Sequence, residues 1–113
     1  MGIRLPAHLE VAGLLRLAQA GGGFASVLTK GEPEAGTILV VLRERGANAR
    51  IFERMPGLDG TRSWHRSKHQ ITDSSQEIDE YLDRRATQDQ DLWIIELDIA
   101  NGERLIGLDE PKG

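Results

Sequence analysis

The chain has 113 residues, of which 39% are hydrophobic, 28% are charged and none is Cys, and its formal net charge is −4. This length suits one ordinary domain, so we expect a single domain over residues 1–113 with a frayed tail from about residue 108. The lack of Cys excludes disulfide scaffolds, Cys-ligated zinc, iron–sulfur clusters and thiol nucleophiles. Because the longest apolar run, residues 38–42, is far shorter than the ~20 residues of a membrane span and no apolar segment of signal-peptide length opens the chain, we expect a cytoplasmic protein.

Charge is distributed unevenly along the chain. The formal net charge is zero over residues 1–42, +4 over residues 43–72 and −8 over residues 73–113. A basic middle segment can mark an anionic partner. Alternatively, the acidic last third packs against the basic middle and neutralises it, and we favour this interpretation.

The first predicted element is a helix over residues 6–20. Val11, Leu14, Leu15 and Ala18 have the spacing of one helical face. The triple glycine at 21–23 predicts the helix end, since glycine readily adopts the conformation that ends a helix. A phosphate-binding loop would need the opposite order, with the glycines before a helix.

Four strands are predicted next, at residues 24–30, 37–45, 49–55 and 61–67. Their connections at 31–36, 46–48 and 56–60 are short, which implies antiparallel neighbours. Residues 38–42 are apolar at both odd and even positions, which point to opposite faces of a strand. This strand is therefore expected to be central, with both of its faces covered.

A capping box of Ser74 and Glu77 predicts a second helix that runs to about residue 87. A last strand over residues 92–99 follows, and residues 104–108 could add a short edge segment. We therefore predict an α+β fold: a single two-layer domain with an antiparallel sheet of four to five strands and two helices on one face. The order is helix, four-strand meander, helix, strand.

Three segments together resemble a small alphaproteobacterial family, domain of unknown function 1491. They are Arg4-Leu5-Pro6-Ala7-His8, Gly31-Glu32-Pro33-Glu34-Ala35-Gly36 and Asp89-Gln90-Asp91-Leu92-Trp93-Ile94-Ile95-Glu96. The resemblance covers nearly the whole chain and implies an uncharacterised bacterial cytosolic protein. It carries over no catalytic or binding residue.

Candidate catalytic and metal-binding groups have plain structural interpretations. His65 and His69 are four residues apart, but they fall in a strand and the loop after it, not on one helix face. No Gly-x-Ser-x-Gly motif is present. The carboxylate pairs at 32 and 34 and at 89 and 91 suit solvated turns. We therefore expect no catalytic residue, metal or cofactor.

The hairpin of residues 49–67 is the one constellation that points to a binding site. If Met55 lies opposite Thr61, Phe52 lies opposite Trp64, and side-chain alternation brings two aromatics and four arginines to one face. These six candidate residues are Arg50, Phe52, Arg54, Arg62, Trp64 and Arg66.

Three interpretations of this face remain open. Aromatics and arginines together can stack bases and neutralise phosphates, as in RNA binding. Alternatively, the aromatics belong to the core and the arginines lie along its rim, paired with the acidic residues of 73–98. The third is a protein-binding surface.

The function predicted from the sequence is a small non-enzymatic binding or interaction module of a bacterial cytosol. RNA binding through the hairpin is the alternative, and a small carboxylate-dependent hydrolase or transferase is the third hypothesis. An unidentified protein is the expected partner, nucleic acid is less favoured, and no membrane is expected.

Overall fold

A computed structural model describes residues 6–56, 62–66 and 75–107, except for the side chains at 55, 56, 62, 63 and 75. This part of the chain forms two α-helices, five strands and one 3₁₀ helix. In chain order they are α1 (Ala7–Ala20), β1 (Phe24–Thr29), β2 (Ile38–Glu44), β3 (Ala47–Pro56), β4 (Arg62–Arg66), α2 (Ser75–Gln88), β5 (Trp93–Asp98) and the 3₁₀ helix Gly102–Ile106.

The helices and main strands agree closely with the sequence prediction, with two local corrections. The edge segment expected at residues 104–108 is wrong, because the chain there forms the 3₁₀ helix. The turn expected at 46–48 is the two-residue turn Arg45-Gly46, both at positive φ, which joins β2 to β3. A two-residue hairpin of this kind needs positive φ at both positions, and glycine adopts it freely. The Ser74 cap, His69 and the tail from residue 108 lie outside the described residues.

The five strands form one sheet in the order β1-β5-β2-β3-β4. The expected antiparallel meander is wrong in one respect: β5 lies between β1 and β2 and runs parallel to β2, so the sheet is mixed. A parallel neighbour requires a crossover connection, which the segment containing β3, β4 and α2 supplies. The reason is hydrophobic: β5 is buried on both faces, as β2 is, so both strands occupy the centre.

The two helices cover opposite faces of the sheet, so the expectation of two layers with both helices on one face is also wrong. α1 and the 3₁₀ helix pack on the face of Val40, Phe52 and Ile95. α2 packs on the other face, where Ile78 and Leu82 meet a second group of buried strand residues. Two central strands with apolar side chains on both faces need cover on both sides, which one helix layer cannot provide.

A polar contact fixes α2 to the sheet. Arg85 donates to both carboxylate oxygens of Glu53 in β3, at 2.9 and 2.7 Å, and to the Tyr81 hydroxyl at 3.1 Å. These hydrogen bonds, chiefly those to Glu53, raise the pKa of Arg85. A bidentate pair of this kind has a defined geometry and so sets the position of the helix on the strand.

No helix within the described ranges is long and apolar enough to cross a membrane.

Candidate functional site

The β3–β4 ladder decides how the six candidate residues are arranged. Arg54 pairs with Trp64 and Phe52 with Arg66, whereas the sequence prediction paired Phe52 with Trp64. The predicted register is therefore wrong by two residues, because β3 continues through Pro56 before the connection begins. Since side chains alternate with period two, an even shift keeps all six positions on the same face of the sheet.

Arg50 is almost fully buried on this face, with 8% of its side chain exposed. Its Nε and Nη2 donate to the two carboxylate oxygens of Glu103 in the 3₁₀ helix, at 2.7 and 2.8 Å, and its Nη1 donates to the Asn48 carbonyl at 2.7 Å. The hydrogen bonds from Arg50 hold the pKa of Glu103 below its usual value, against the opposing effect of burial, and the charge of Arg66 adds to this lowering. The charge of Arg50 is thus compensated inside the fold.

Arg54 lies between an acid and an aromatic ring. Its Nη1 forms an ion pair with Glu10 of α1. Its guanidinium carbon lies 5.5 Å from the centroid of the Trp64 ring, within the range of a cation–π contact. Arg54 therefore joins α1 to the edge strand β4.

The remaining candidate residues have different environments. Phe52 is buried in the core and Trp64 is half-buried against it, while Arg66 is exposed. The side chain of Arg62 lies outside the described residues. The acidic partners expected from residues 73–98 are wrong for Arg50 and Arg54, because Glu10 and Glu103 from outside that segment supply the carboxylates.

The described residues of the three segments that carry the family resemblance meet in space. The amides of Ala7 and His8 donate to carbonyls of the 31–36 loop, and the amide of Glu32 donates to Asp91 at 3.1 Å. The Trp93 indole donates to the Glu32 carbonyl at 2.8 Å. A Cβ on Gly31 or Gly36 would lie 2.3 Å from the Asp91 carbonyl oxygen, so this close approach requires glycine. These residues hold α1 and β5 against one loop.

The acidic residues of the same region bond to their own turns. Glu32 Oε1 accepts from the amides of Glu34 and Ala35, at 2.9 and 2.6 Å. Asp89 Oδ1 accepts from the Asp91 amide at 3.0 Å. Both arrangements stabilise turns, as expected for these pairs. Within the ranges given above, no group of three or more His, Asp or Glu side chains could hold a metal ion.

An apolar groove lies beside the Arg54–Trp64 pair. It has a volume of about 440 Å³ and lies where α1, β4 and the 3₁₀ helix meet. Its lining residues are Leu9, Glu10, Gly13, Leu14, Leu17, Arg54, Trp64, Leu105 and Ile106. Leu9 and Leu17 of α1 are 48% and 51% exposed, and both line this one groove, so their exposed apolar surface is not scattered singly.

Arg54 and Trp64 are among the residues predicted from the sequence, but the α1 side of this groove is not. The helical face predicted from the sequence, with Val11 and Ala18, is buried or partly buried against the sheet. The available signal was a second stripe on the same helix, Leu9, Gly13 and Leu17 at intervals of four residues. A stripe beyond the core-facing one indicates a helix with two apolar surfaces.

Comparison with known proteins gives one family. The family model described as "Protein of unknown function (DUF1491)" matches residues 5–107. No curated protein matches the chain.

Solved structures agree with the fold. The NMR structure of a DUF1491 family protein from Caulobacter crescentus is 31% identical and has a TM-score of 0.79, covering 98% of this chain and 100% of the other. The crystal structure of a DUF1491 family protein from the same organism is 32% identical, with a TM-score of 0.78 and coverage of 93% and 97%. The solution structure of a protein from A. tumefaciens is 28% identical, with a TM-score of 0.78 and coverage of 98% and 100%.

Proposed function

The chain belongs to the DUF1491 family, and we propose that it is a non-enzymatic protein-binding module that receives an apolar helix of a partner protein in the groove across Gly13. The groove residues define the site, with α1 as one wall and Trp64 and Leu105 as the other. The single observation that carries the proposal is Gly13 itself.

Gly13 lies in the middle of α1, where glycine costs about 1 kcal/mol relative to alanine. A Cβ at this position would have no described atom within 4 Å beyond its own helix and chain neighbours. Packing inside the described part of the chain therefore does not require a glycine here. Space above a glycine, between two exposed leucines, suits the close approach of a second helix from outside.

The chemistry of the groove favours an apolar partner over a polyanion. Leu9 and Leu17 flank Gly13 along the helix, and partly buried apolar side chains form the floor. The charged groups at the rim, Glu10 and Arg54, are paired with each other. An amphipathic helix that lays its apolar side chains into such a groove is a common mode of peptide recognition.

The test uses an amphipathic, leucine-faced synthetic helix of neutral net charge as the probe. Trp64 lines the groove, so a change in tryptophan fluorescence reports binding. Gly13→Leu fills the groove and should weaken peptide binding by at least about tenfold, which corresponds to about 1.4 kcal/mol. Gln19→Leu, at an exposed α1 position outside the groove, is the matched control and should bind like the original chain.

A second variant separates binding from stability. Gly13→Ala should raise the free energy of unfolding by up to about 1 kcal/mol, because alanine is the better helix former and the added methyl meets open space. Equal peptide binding by Gly13→Leu and the original chain would refute the groove as the site. A peptide that binds neither protein would refute the helical partner.

The proposed location is the bacterial cytoplasm. The absence of Cys supports it, since the fold needs no oxidising compartment for disulfide formation. Fractionation of cells that express the tagged chain tests this location, and recovery in the periplasmic fraction would contradict it.

A further inference from the structure

We propose that a cleft at the carboxyl ends of β2 and β5 binds a free α-amino acid with an aromatic side chain, in its zwitterionic form. The cleft has a volume of about 700 Å³, and its lining residues do not include any residue of the groove around Gly13. This second site therefore stands or falls independently of the proposed function.

The first support is the position of the cleft in the sheet. β2 and β5 are parallel neighbours at the centre, and they end side by side at Glu44 and Asp98. Both of these residues line the cleft. In open α/β sheets, ligands bind in the crevice outside the carboxyl ends of the parallel strands. This mixed sheet has one such parallel pair, and the cleft lies at its carboxyl end.

Two carboxylates and a helix end make one side of the cleft attractive to a cation. Asp98 accepts from the amides of Arg45 and Gly46, at 2.7 and 2.8 Å, so its carboxylate is held in a fixed position. Glu44 supplies the second carboxylate. α1 ends at the glycines of 21–23, which also line the cleft, and the carboxyl end of a helix carries partial negative charge. These groups favour an ammonium, which offers three N–H donors and a positive charge.

Arg45 supplies the positive charge of the cleft. Its side chain is exposed, and its guanidinium makes no hydrogen bond or ion pair with another residue of the described ranges. A guanidinium binds a carboxylate through two parallel hydrogen bonds. An anion alone would be repelled by the two carboxylates, and a cation alone would be repelled by Arg45. The charge pattern therefore favours a ligand that carries both signs.

Phe24 and Ile99 supply the apolar part of the cleft. Phe24 is 78% exposed, the largest value among the large apolar side chains that the structure describes. It lies directly opposite Asp98 in the β1–β5 ladder. Opposed side chains of an antiparallel pair lie on one face with their Cβ atoms about 5 Å apart.

The spacing between Phe24 and Asp98 suits an aromatic amino acid. Two carbon atoms separate the ammonium of such a molecule from its ring, so the ring can contact Phe24 while the ammonium contacts the neighbouring carboxylate of Asp98. Aromatic rings favour each other in offset or edge-to-face arrangements. The carboxylate of the ligand then remains for Arg45.

The experiment titrates the full chain with L-phenylalanine and follows the backbone amide signals by NMR. We expect saturable shifts at Gly22, Gly23 and Arg45 with a Kd in the millimolar range or below, because a small ligand in an open cleft makes few contacts. Phenethylamine lacks the carboxylate and 3-phenylpropionate lacks the ammonium. Each should bind at least about tenfold more weakly than L-phenylalanine.

Two variants assign the charged groups. Arg45→Gln should weaken L-phenylalanine binding by at least about tenfold and should not weaken phenethylamine binding. Glu44→Gln should weaken binding of both ammonium compounds by about threefold, the effect of one exposed ion pair, and should not weaken 3-phenylpropionate binding. Arg16→Gln, at an exposed α1 position outside the cleft, removes the same charge as Arg45→Gln and should bind like the original chain. Thermal denaturation checks that each variant is folded.

Three results overturn the proposal. They are the absence of saturable shifts at tens of millimolar L-phenylalanine, equal binding by Arg45→Gln and the original chain, and binding of phenethylamine as tight as that of L-phenylalanine. Gly13→Leu should bind L-phenylalanine normally, which separates this result from that of the groove.

Discussion

Individual arginines on the hairpin face act through the carboxylates that the fold brings to them. Arg50 is held by Glu103 and Arg54 by Glu10, from two elements far away in the sequence. Removing one partner from a buried pair leaves the other without compensation, which costs more than the pair itself contributes. The face predicted as a candidate binding surface is therefore in part the attachment of the 3₁₀ helix and α1 to the sheet.

Glu103→Gln should lower the free energy of unfolding at neutral pH by about 1–3 kcal/mol, because Arg50 would lose a charged, bidentate acceptor. The hydrogen bonds from Arg50 hold the pKa of Glu103 in the folded protein below its ordinary value of 4.5. Its contribution to stability is thus present above pH 4.5 and is lost as the pH falls through the lowered folded value. Denaturation curves between neutral and acidic pH should show the difference between variant and original chain shrinking below that value.

Asp83→Asn on α2 removes an exposed carboxylate and is the control. It should have little effect on stability at neutral pH. A Glu103→Gln deficit that stays constant across the acidic range would contradict the role assigned to the charged carboxylate.

Among the elements, β2 shows how strongly an apolar run constrains the fold. Its residues Ile38–Leu42 are completely buried, with alternate side chains in the cores on the two faces. β5 has the same character, with apolar side chains on both of its faces. Its Trp93 and Ile95 pack towards α1 and its Ile94 towards α2.

Val40→Asp should destabilise the protein by several kcal/mol, because it places an unpaired carboxylate at the centre of the sheet. Chemical denaturation followed by circular dichroism measures the effect. Val27→Asp introduces the same change in the exposed edge strand β1 and should leave the fold stable. A cooperatively folded Val40→Asp protein with an unchanged midpoint would contradict the central position of β2.

At the scale of the whole molecule, net charge and charge pairing bear on the RNA hypothesis. The chain carries −4 overall, and the two hairpin arginines with described partners are compensated by Glu103 and Glu10. Arg66 is exposed, and its positive charge helps to lower the pKa of Glu103. A general affinity for polyanions needs an uncompensated positive surface.

The double variant Arg54→Gln/Arg62→Gln distinguishes a structural face from an RNA-binding face. We expect it to lose about 1–2 kcal/mol of stability, since Arg54 gives up its contacts with Glu10 and Trp64. We also expect no binding of mixed single-stranded RNA by the original chain at low salt. One denaturation curve and one salt-titrated binding assay measure both.

Arg16→Gln/Arg45→Gln removes the same charge from exposed positions and is the matched control for stability. RNA binding by the original chain that weakens as salt rises, together with unchanged stability of the Arg54→Gln/Arg62→Gln protein, would reverse our preference and establish the nucleic-acid interpretation.

The sequence by itself determined the α+β class, the two helices, all five strands to within a few residues and the central position of β2. These features follow from local periodicity, from turn residues and from one uninterrupted apolar run. Side-chain alternation also determined correctly that the six hairpin positions share a face. A register shift of two residues leaves the shared face unchanged. It does change which residues are opposite each other, so the pairing of Arg54 with Trp64 depends on where the β3–β4 connection begins.

Only the tertiary structure decided which strands are neighbours and which side each helix covers. Local patterns do not specify that β5 inserts beside β2, because the pairing depends on burying the apolar faces of both strands at once. The candidate groove likewise depends on the packing of distant elements. In the sequence, Leu9, Gly13 and Leu17 are only a stripe on one helix. They become one wall of a groove when the fold brings Trp64 and Leu105 opposite them. Contacts between residues distant in the chain arise from the packing of whole faces, which no short window of sequence contains.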